Sequence, residues 1–329
     1  MMKNKIKSFF ERSIHDYPIL YIFVGLCLVA SIIAPGFLSF RNFVNIFTQQ
    51  AYIGVACVGV TFLMIGGNRD LSIGMVVGLS ACLTAGLMPK IGWMSLVVAL
   101  CAGLLAGLVN GFFVGKVGLH SFIVTLATMQ GVRSATYIYT KEMSMVGISE
   151  SFAKFSDAEP LGIPFAVWIL IISVVIAELV LKFTKHGRNT YAVGGNKEAA
   201  YNAGINVTLT VIINFMIASF TGAIGGIINV MRIRSGIPEL GFPNLHFLIL
   251  VMVVLGGTKL SGGVGRAIFT LGGIMTLGVI ENILNFMNVH VYFVTLIVGL
   301  LMLGVLVLDK IMTDLAIKRQ EAGSHLDTA

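Results

Sequence analysis

The chain has 329 residues, 57% hydrophobic and 11% charged, with 22 Lys and Arg against 15 Asp and Glu. A mean hydropathy of +0.93 is more than a soluble single domain needs and predicts a polytopic membrane protein. The formal +7 follows from the positive-inside bias of such proteins, and no basic cluster interleaved with aromatics speaks for a nucleic-acid partner.

In chain order, Lys3, Lys5, Lys7 and Arg12 precede an apolar run from Ile19 that reaches Ala34 without a small-x-small exit. This resembles a signal peptide but reads as an uncleaved first span. Crossing a ~30 Å hydrocarbon core takes roughly 17–25 residues. Ten runs qualify: 18–36, 48–66, 71–89, 92–115, 121–140, 164–183, 208–230, 244–257, 266–286 and 290–308. The expected fold is an all-α transmembrane bundle in one domain, 1–329, with its membrane region over 18–308 and a short cytoplasmic tail, 309–329. The eighth run is short, and its glycines point to a broken or re-entrant segment near 231–257. With the N-terminus inside, cytoplasmic segments collect fifteen of the lysines and arginines and outer segments six, so both termini are placed in the cytoplasm.

The turn between the second and third runs carries Asn68, Arg69, Asp70, Ser72 and Gly74. Asp70 can cap the third span, and Arg69 beside it is either a gate element or an interfacial arginine. Gly66–Gly74 is echoed weakly by Gly256–Gly263. In the fifth span Gln130, Arg133, Tyr137 and Thr140 recur along one helical face. A charge there is costly and marks a pathway or gate, unless Arg133 snorkels outward. The loop 141–163 has a net charge of −2 and is either a receiving surface or simply solvated.

The segment 184–207 is a basic, glycine-punctuated loop, expected on the cytoplasmic side. Asn196 can cap a short helix, Glu198 suits its positive end and Gly204 can close it. Ala199, Ala200 and Ala203 make that rod thin. It is either a docking element or a helix lying at the membrane surface. Farther on, Glu281 and Asn282 sit at membrane depth, lining a pore or bonding between helices.

Catalytic signatures are missing. Cys27, Cys57, Cys82 and Cys101 form no CxxC pair and the histidines are dispersed, giving no support to a disulfide framework or a metal site. Neither HExxH nor GxSxG occurs. Val114-Gly-Lys116 and Gly257-Thr-Lys259 lack the spacing of a nucleotide-binding loop. The chain is therefore not expected to be an enzyme or to bind a cofactor, and energy must come from a gradient or a partner.

Four motifs carry a resemblance. From Gly187 the loop reads G-R-x-x-Y-A-x-G-G-N-x-x-A-A-x-x-A-G-I-x-V. Residues 70–74 read D-L-S-x-G, residues 122–129 F-I-x-T-L-A-T-M with Arg133 following, and residues 253–263 V-V-L-G-G-T-x-L-x-G-G. In this order, across about 37–308, they resemble the permease subunits of ribose-type ABC importers. The resemblance implies a cytoplasmic ATPase partner that uses ATP and Mg, an extracytoplasmic solute-binding protein and a second permease, as a homodimer or heterodimer. It implies a multi-pass protein of the bacterial cytoplasmic membrane. Gly194, Gly195, Asn196, Glu198, Ala199, Ala200, Ala203 and Gly204 would form the ATPase-coupling element. The sequence departs from the family where Asn68 and Arg69 stand for Gly and Ile, and where His246 and Leu248 stand for Glu and Asp. The expected function is import of a small neutral solute, most simply a monosaccharide. The rival is a gradient-driven secondary transporter or channel, which would want an acidic site at mid-membrane.

Overall fold

The computed structural model describes residues 18–311 except 242, 291, 302, 305, 306, 308 and 309. The basic N-terminus and nearly all of the tail assigned above to the cytoplasm lie outside these residues. The architecture is all-α and polytopic. The main helices are α1 (Pro18–Ile33), α2 (Phe40–Ile65), α3 (Ile73–Ile91), α4 (Met94–Gly115) and α5 (Ser121–Thr140). They continue with α6 (Glu150–Ser156), α7 (Phe165–Phe183), α8 (Lys185–Gly195), α9 (Lys197–Asn202) and α10 (Val207–Ile233). The last are α11 (Leu245–Leu255), α12 (Ala267–Phe286) and α13 (Tyr292–Leu301). Six of them, α2, α3, α4, α7, α10 and α12, are long and apolar enough to cross a membrane.

α2 is the axis of the fold. It starts at Phe40, capped by Ser39 Oγ, which accepts the Asn42 amide, eight residues before the expected start of the second span. Every residue from Ile53 to Gly66 is buried. In lipid, helices gain little by hiding apolar surface from one another, so they associate through close backbone approach and side-chain hydrogen bonds. The glycines show this. A Cβ added to Gly59 would lie 1.9 Å from Thr221 Oγ1 and 2.8 Å from Ala218 Cα on α10. On α4, Gly103, Gly107, Gly111 and Gly115 recur every fourth residue, and each sits against α10 where a Cβ would meet backbone within 3 Å. Hydroxyls add to the packing: Thr61 Oγ1 meets Thr270 Oγ1 at 2.8 Å, joining α2 to α12.

The connections sort into two ends, as alternating crossings require. At one end Thr208 Oγ1 donates to Gly115 O and Tyr191 Oη to Gly265 O. At the other, β1 (Met145–Val146) pairs antiparallel with β2 (Ser235–Gly236). There too Trp93 Nε1 donates to Ser151 Oγ, and Arg234 pairs with Asp157. The loop 141–163 is thus folded, with α6 held by Trp93 packed edge-on against Phe152 and Phe155.

Two segments depart from simple crossings. The turn 66–72 climbs back into the bundle, because α3 begins with Ile73 against Gly222, well inside α10. The stretch after β2 descends along α3. A Cβ on Gly236 would meet Ala81 O at 2.6 Å, and one on Gly241 would meet Gly74 O at 2.0 Å. α11 then starts inside the bundle. Its eleven residues cover only about 16 Å at 1.5 Å per residue, so the expected break near 231–257 takes the form of a turn-rich half joined to a helical half.

The glycine contacts set a stability test. Gly59→Val should destabilise the detergent-purified chain by about 1–3 kcal/mol through overpacking. Gly299→Val, where a Cβ meets nothing within 4 Å, should leave thermal unfolding unchanged.

Candidate functional site

The loop between α7 and α10 holds two short helices where the sequence predicted one. Thr184 Oγ1 accepts the Gly187 amide and starts α8; Asn196 Oδ1 accepts the Ala199 amide at 2.9 Å and starts α9. α8 escapes a propensity reading because Gly187, Gly194 and Gly195 are poor helix formers. Yet Gly187 is needed, since a Cβ there would lie 2.3 Å from Leu181 O. α9 ends as expected at Gly204, in the left-handed region at φ +79°, with the Ile205 amide on Ala200 O at 3.0 Å. Lys197, Glu198, Ala199, Tyr201, Asn202 and Ala203 are exposed. Ala200 is not: at 4% exposure it belongs to the same buried cluster as Val193 and Val211. The three alanines therefore do not share one outward face; Ala199 and Ala203 present it, with Tyr201 72% exposed beside them.

The end of α8 is wedged into the bundle. A Cβ on Gly194 would lie 1.7 Å from Ile65 O and 2.7 Å from the Gly263 amide. Gly262 packs so closely on Gly67 that its Cβ would meet Gly67 Cα at 2.9 Å. The Gly263 amide donates to Ile65 O at 2.8 Å, and Arg69 Nη2 to Leu260 O at 3.2 Å. Three loops thus meet backbone to backbone: the α2–α3 turn, the α8–α9 loop and the α11–α12 turn. The echoed motifs are two of the three. Both end a helix identically, with Asn68 N on Leu63 O and Gly67 N on Met64 O, and Thr258 N on Val253 O and Gly257 N on Val254 O. Gly67 and Gly257 stand in the left-handed region that this helix stop requires. Gly195 is exposed next to the junction.

Inside the bundle, Asp70 is 0% exposed. Its Oδ1 accepts the Ser72 amide at 2.7 Å and Ser72 Oγ at 2.5 Å. It therefore serves the start of α3 from two residues before the N-cap, which is Ser72. Asn110 Nδ2 on α4 donates to Ser72 Oγ at 2.9 Å. Arg69 does not pair with Asp70; it turns out toward Leu260. Asn68 Nδ2 donates to Gly66 O and braces the turn. His246, 4% exposed, lies in the first turn of α11, its amide 3.2 Å from where a Cβ on Gly74 would be. Asp70 Oδ2, Asn110 Oδ1 and His246 Nδ1 have no hydrogen-bond partner among the described residues.

The other expected residues lie elsewhere. On α5, Gln130 is exposed while Arg133 and Tyr137 are half-buried, the guanidinium 5.3 Å over the Tyr137 ring. Glu281 Oε2 accepts Gln50 Nε2 at 2.9 Å, and Asn282 and Asn42 exchange amide hydrogen bonds at 3.1 Å. These two residues thus join α12 to α2. Glu178 is also paired, with Arg266 at 2.6 Å. No group of three His, Cys, Asp or Glu that could hold a metal occurs among the described residues.

Asn110 and Asn214 were not singled out from sequence, although a lone amide in an apolar helix is the signal that could have found them. Asn214 on α10 accepts from His186 Nε2 at 2.9 Å and Thr190 Oγ1 at 3.1 Å, fastening α8 to the bundle. His186 stacks on Phe62, and burial holds its pKa below the ordinary 6.5. Because the folded value is depressed, the neutral ring's stabilisation is complete above about pH 6.5 and is lost as pH falls below it. Melting temperature should accordingly drop between pH 6.5 and 5, and His186→Gln should flatten that slope.

Comparison with known proteins agrees with this architecture. Residues 42–306 match the family model described as "Branched-chain amino acid transport system / permease component". The chain is 34% identical over 306 residues to the L-arabinose transport system permease protein AraH of Escherichia coli, covering 92% of each. It is 34% identical over 299 residues to the ribose import permease protein RbsC of Bacillus subtilis, covering 89% of this chain and 92% of that one. The D-allose transport system permease protein AlsC of Escherichia coli is 31% identical over 281 residues, covering 84% of this chain and 86% of its own length. With apolar helices that cross the membrane several times and a match over most of its length, the chain belongs to this family of transport-system permease components, multi-pass proteins of the inner membrane.

Proposed function

We propose that the chain is the permease subunit of an ATP-driven importer for a monosaccharide. The observation that carries this is the α8–α9 loop. It presents an exposed, alanine-faced rod at one end of the bundle while its root is locked into two helix turns. Such a loop fits a groove on a soluble partner and cannot move without moving what it is locked to. The partner of this reading is a cytoplasmic ATPase that binds ATP and Mg, since this chain has no phosphate loop of its own. Ten crossings, α1–α5, α7 and α10–α13, then place both termini in the cytoplasm with α8 and α9. The folded loop with α6 then faces outward, toward a solute-binding protein. A second permease, identical or sister, completes the assembly.

The class of solute follows from the relatives named for arabinose, ribose and allose. It agrees with the interior, where the buried groups are mostly amides and hydroxyls. A charged solute would need fixed counter-charges along its route.

The test is uptake of labelled L-arabinose, D-ribose and D-allose by proteoliposomes holding the chain with its ATPase and binding protein. ATP-dependent, binding-protein-dependent uptake of one of them is expected. Uptake driven by an ion gradient, with no ATPase bound, would sink the reading. In the same preparation, Ala203→Trp should reduce co-purified ATPase at least fivefold without lowering the melting temperature. Gly194→Ala should instead leave the ATPase bound and raise the ATP hydrolysed per sugar carried.

A further inference from the structure

We propose that the buried meeting point of α3 and α11 is a solute-binding subsite. It would hold a neutral polyhydroxyl molecule in transit through hydrogen bonds to Asp70, Ser72, Asn110 and His246. This rests on the importer reading and locates within it where the solute is held.

Both helices begin inside the bundle rather than at its surface, and their starts touch. A Cβ on Gly74 would lie 3.2 Å from His246 N and 3.4 Å from Leu245 Cβ, and 2.8 Å from O of Gly241 in the turn that leads into α11. A helix start offers unpaired amides and a positive dipole end. Interrupted helices whose starts converge within a bundle are a recurrent way to build a transport site. The second observation is independent of backbone shape. Asp70 and Asn110 are 0% exposed and His246 is 4% exposed, yet each keeps one side-chain polar atom without a partner among the described residues. Buried polar groups are nearly always paired, so three such atoms around one pair of helix starts call for a ligand.

Their chemistry selects it. Asp70 Oδ2 and Asn110 Oδ1 accept hydrogen bonds. The two residues are tied into one cluster through Ser72 Oγ, which donates to Asp70 and accepts from Asn110. Adjacent hydroxyls of a sugar or polyol supply donors to such acceptors, and each hydroxyl can also accept from an amide or an imidazole N–H. The helix starts beside Asp70 offset its charge, and Arg69 is engaged with Leu260. An anionic solute would thus meet like charge at Asp70, with Arg69 turned away from it. With Gly74 and Gly241 in contact the subsite is closed, and parting the two helix starts opens it.

The test uses the complete importer in proteoliposomes, with labelled L-arabinose, D-ribose and D-allose as probes. Asp70→Asn keeps the size and can donate to Asn110, so a merely structural Asp70 tolerates it. The subsite predicts at least a tenfold rise in KM, larger than any change in kcat. His246→Gln should reorder the preference among the three sugars. In a cysteine-free chain, the thiol of Ser72→Cys should react with a charged, water-soluble reagent in one nucleotide state and be protected by the carried sugar. Wild-type KM and sugar order in both variants, or a thiol at 72 that no state exposes, would overturn the subsite. If Asp70→Asn does not accumulate, the other two variants decide. Absence of ATP-dependent uptake by the wild type would instead count against the importer reading, while the labelling still tests the subsite.

Discussion

Everything in this fold depends on how closely α2 and α4 approach α10. In a bilayer the lipid tails are as apolar as any leucine, so a helix pair is held by contact at backbone range and by hydrogen bonds. Gly59 on α2, and Gly103, Gly107, Gly111 and Gly115 on α4, remove the side chains that would hold α10 away. Because these contacts are backbone to backbone, they leave little room for sliding. Three nearly rigid helices then form a frame against which the more loosely built parts can move.

The polar groups divide according to that frame. Gln50 with Glu281, Asn42 with Asn282 and Thr61 with Thr270 each join α2 to α12, and each finds its partner within the chain. Such pairs add side-chain bonds beside the close approach of Gly278 to Gln50 and Ile46. The cluster of Asp70, Ser72 and Asn110 is different in kind: it sits where a helix starts rather than where two helices run side by side, and Asp70 Oδ2 and Asn110 Oδ1 are left without partners among the described residues. A half-satisfied buried network is costly to stability, which is the signature expected of residues retained for what passes by them.

Much of this was legible in the sequence. Hydropathy alone located the long helices, and the Asn196 cap and Gly204 stop of α9 stand where residue chemistry put them. What escaped was whatever depends on depth. From sequence Asp70 sits at a turn, and turns are assigned to the surface by default. Only the register of Ile73 against Gly222 places this one inside the bundle. The same default made Arg69 and Asp70 neighbours in function because they are neighbours in the chain, whereas one turns out to Leu260 and the other in to Ser72. Ala200 was grouped with Ala199 and Ala203 on spacing, yet a six-residue helix lying on a bundle must bury one side, and Ala200 is on it. The echo between 66–74 and 256–263, weak in sequence, is a repeated helix stop.

The segment from Gly66 to Gly74 joins the two halves of the argument. Near its beginning it touches Gly262, whose neighbour Gly263 sits with Gly194 against Ile65 at the end of α2; at its end Gly74 touches Gly241. The residues between carry Asp70 and Ser72, and Asn68 is tied to Gly66. A shift of α9 imposed by a partner reaches Ile65 through Gly194 with no soft side chain between them, since a Cβ has no room there. The short turn that follows has one end braced by Asn68 and the other by the Asp70 cap, so it transmits displacement rather than absorbing it. In the proposed importer, force applied outside the bundle would thereby be delivered to the Gly74–Gly241 contact within it. Under the proposed importer function, coupling is then a matter of main-chain contact at glycines, and Asp70 Oδ2 at the far end of the turn keeps no partner among the described residues.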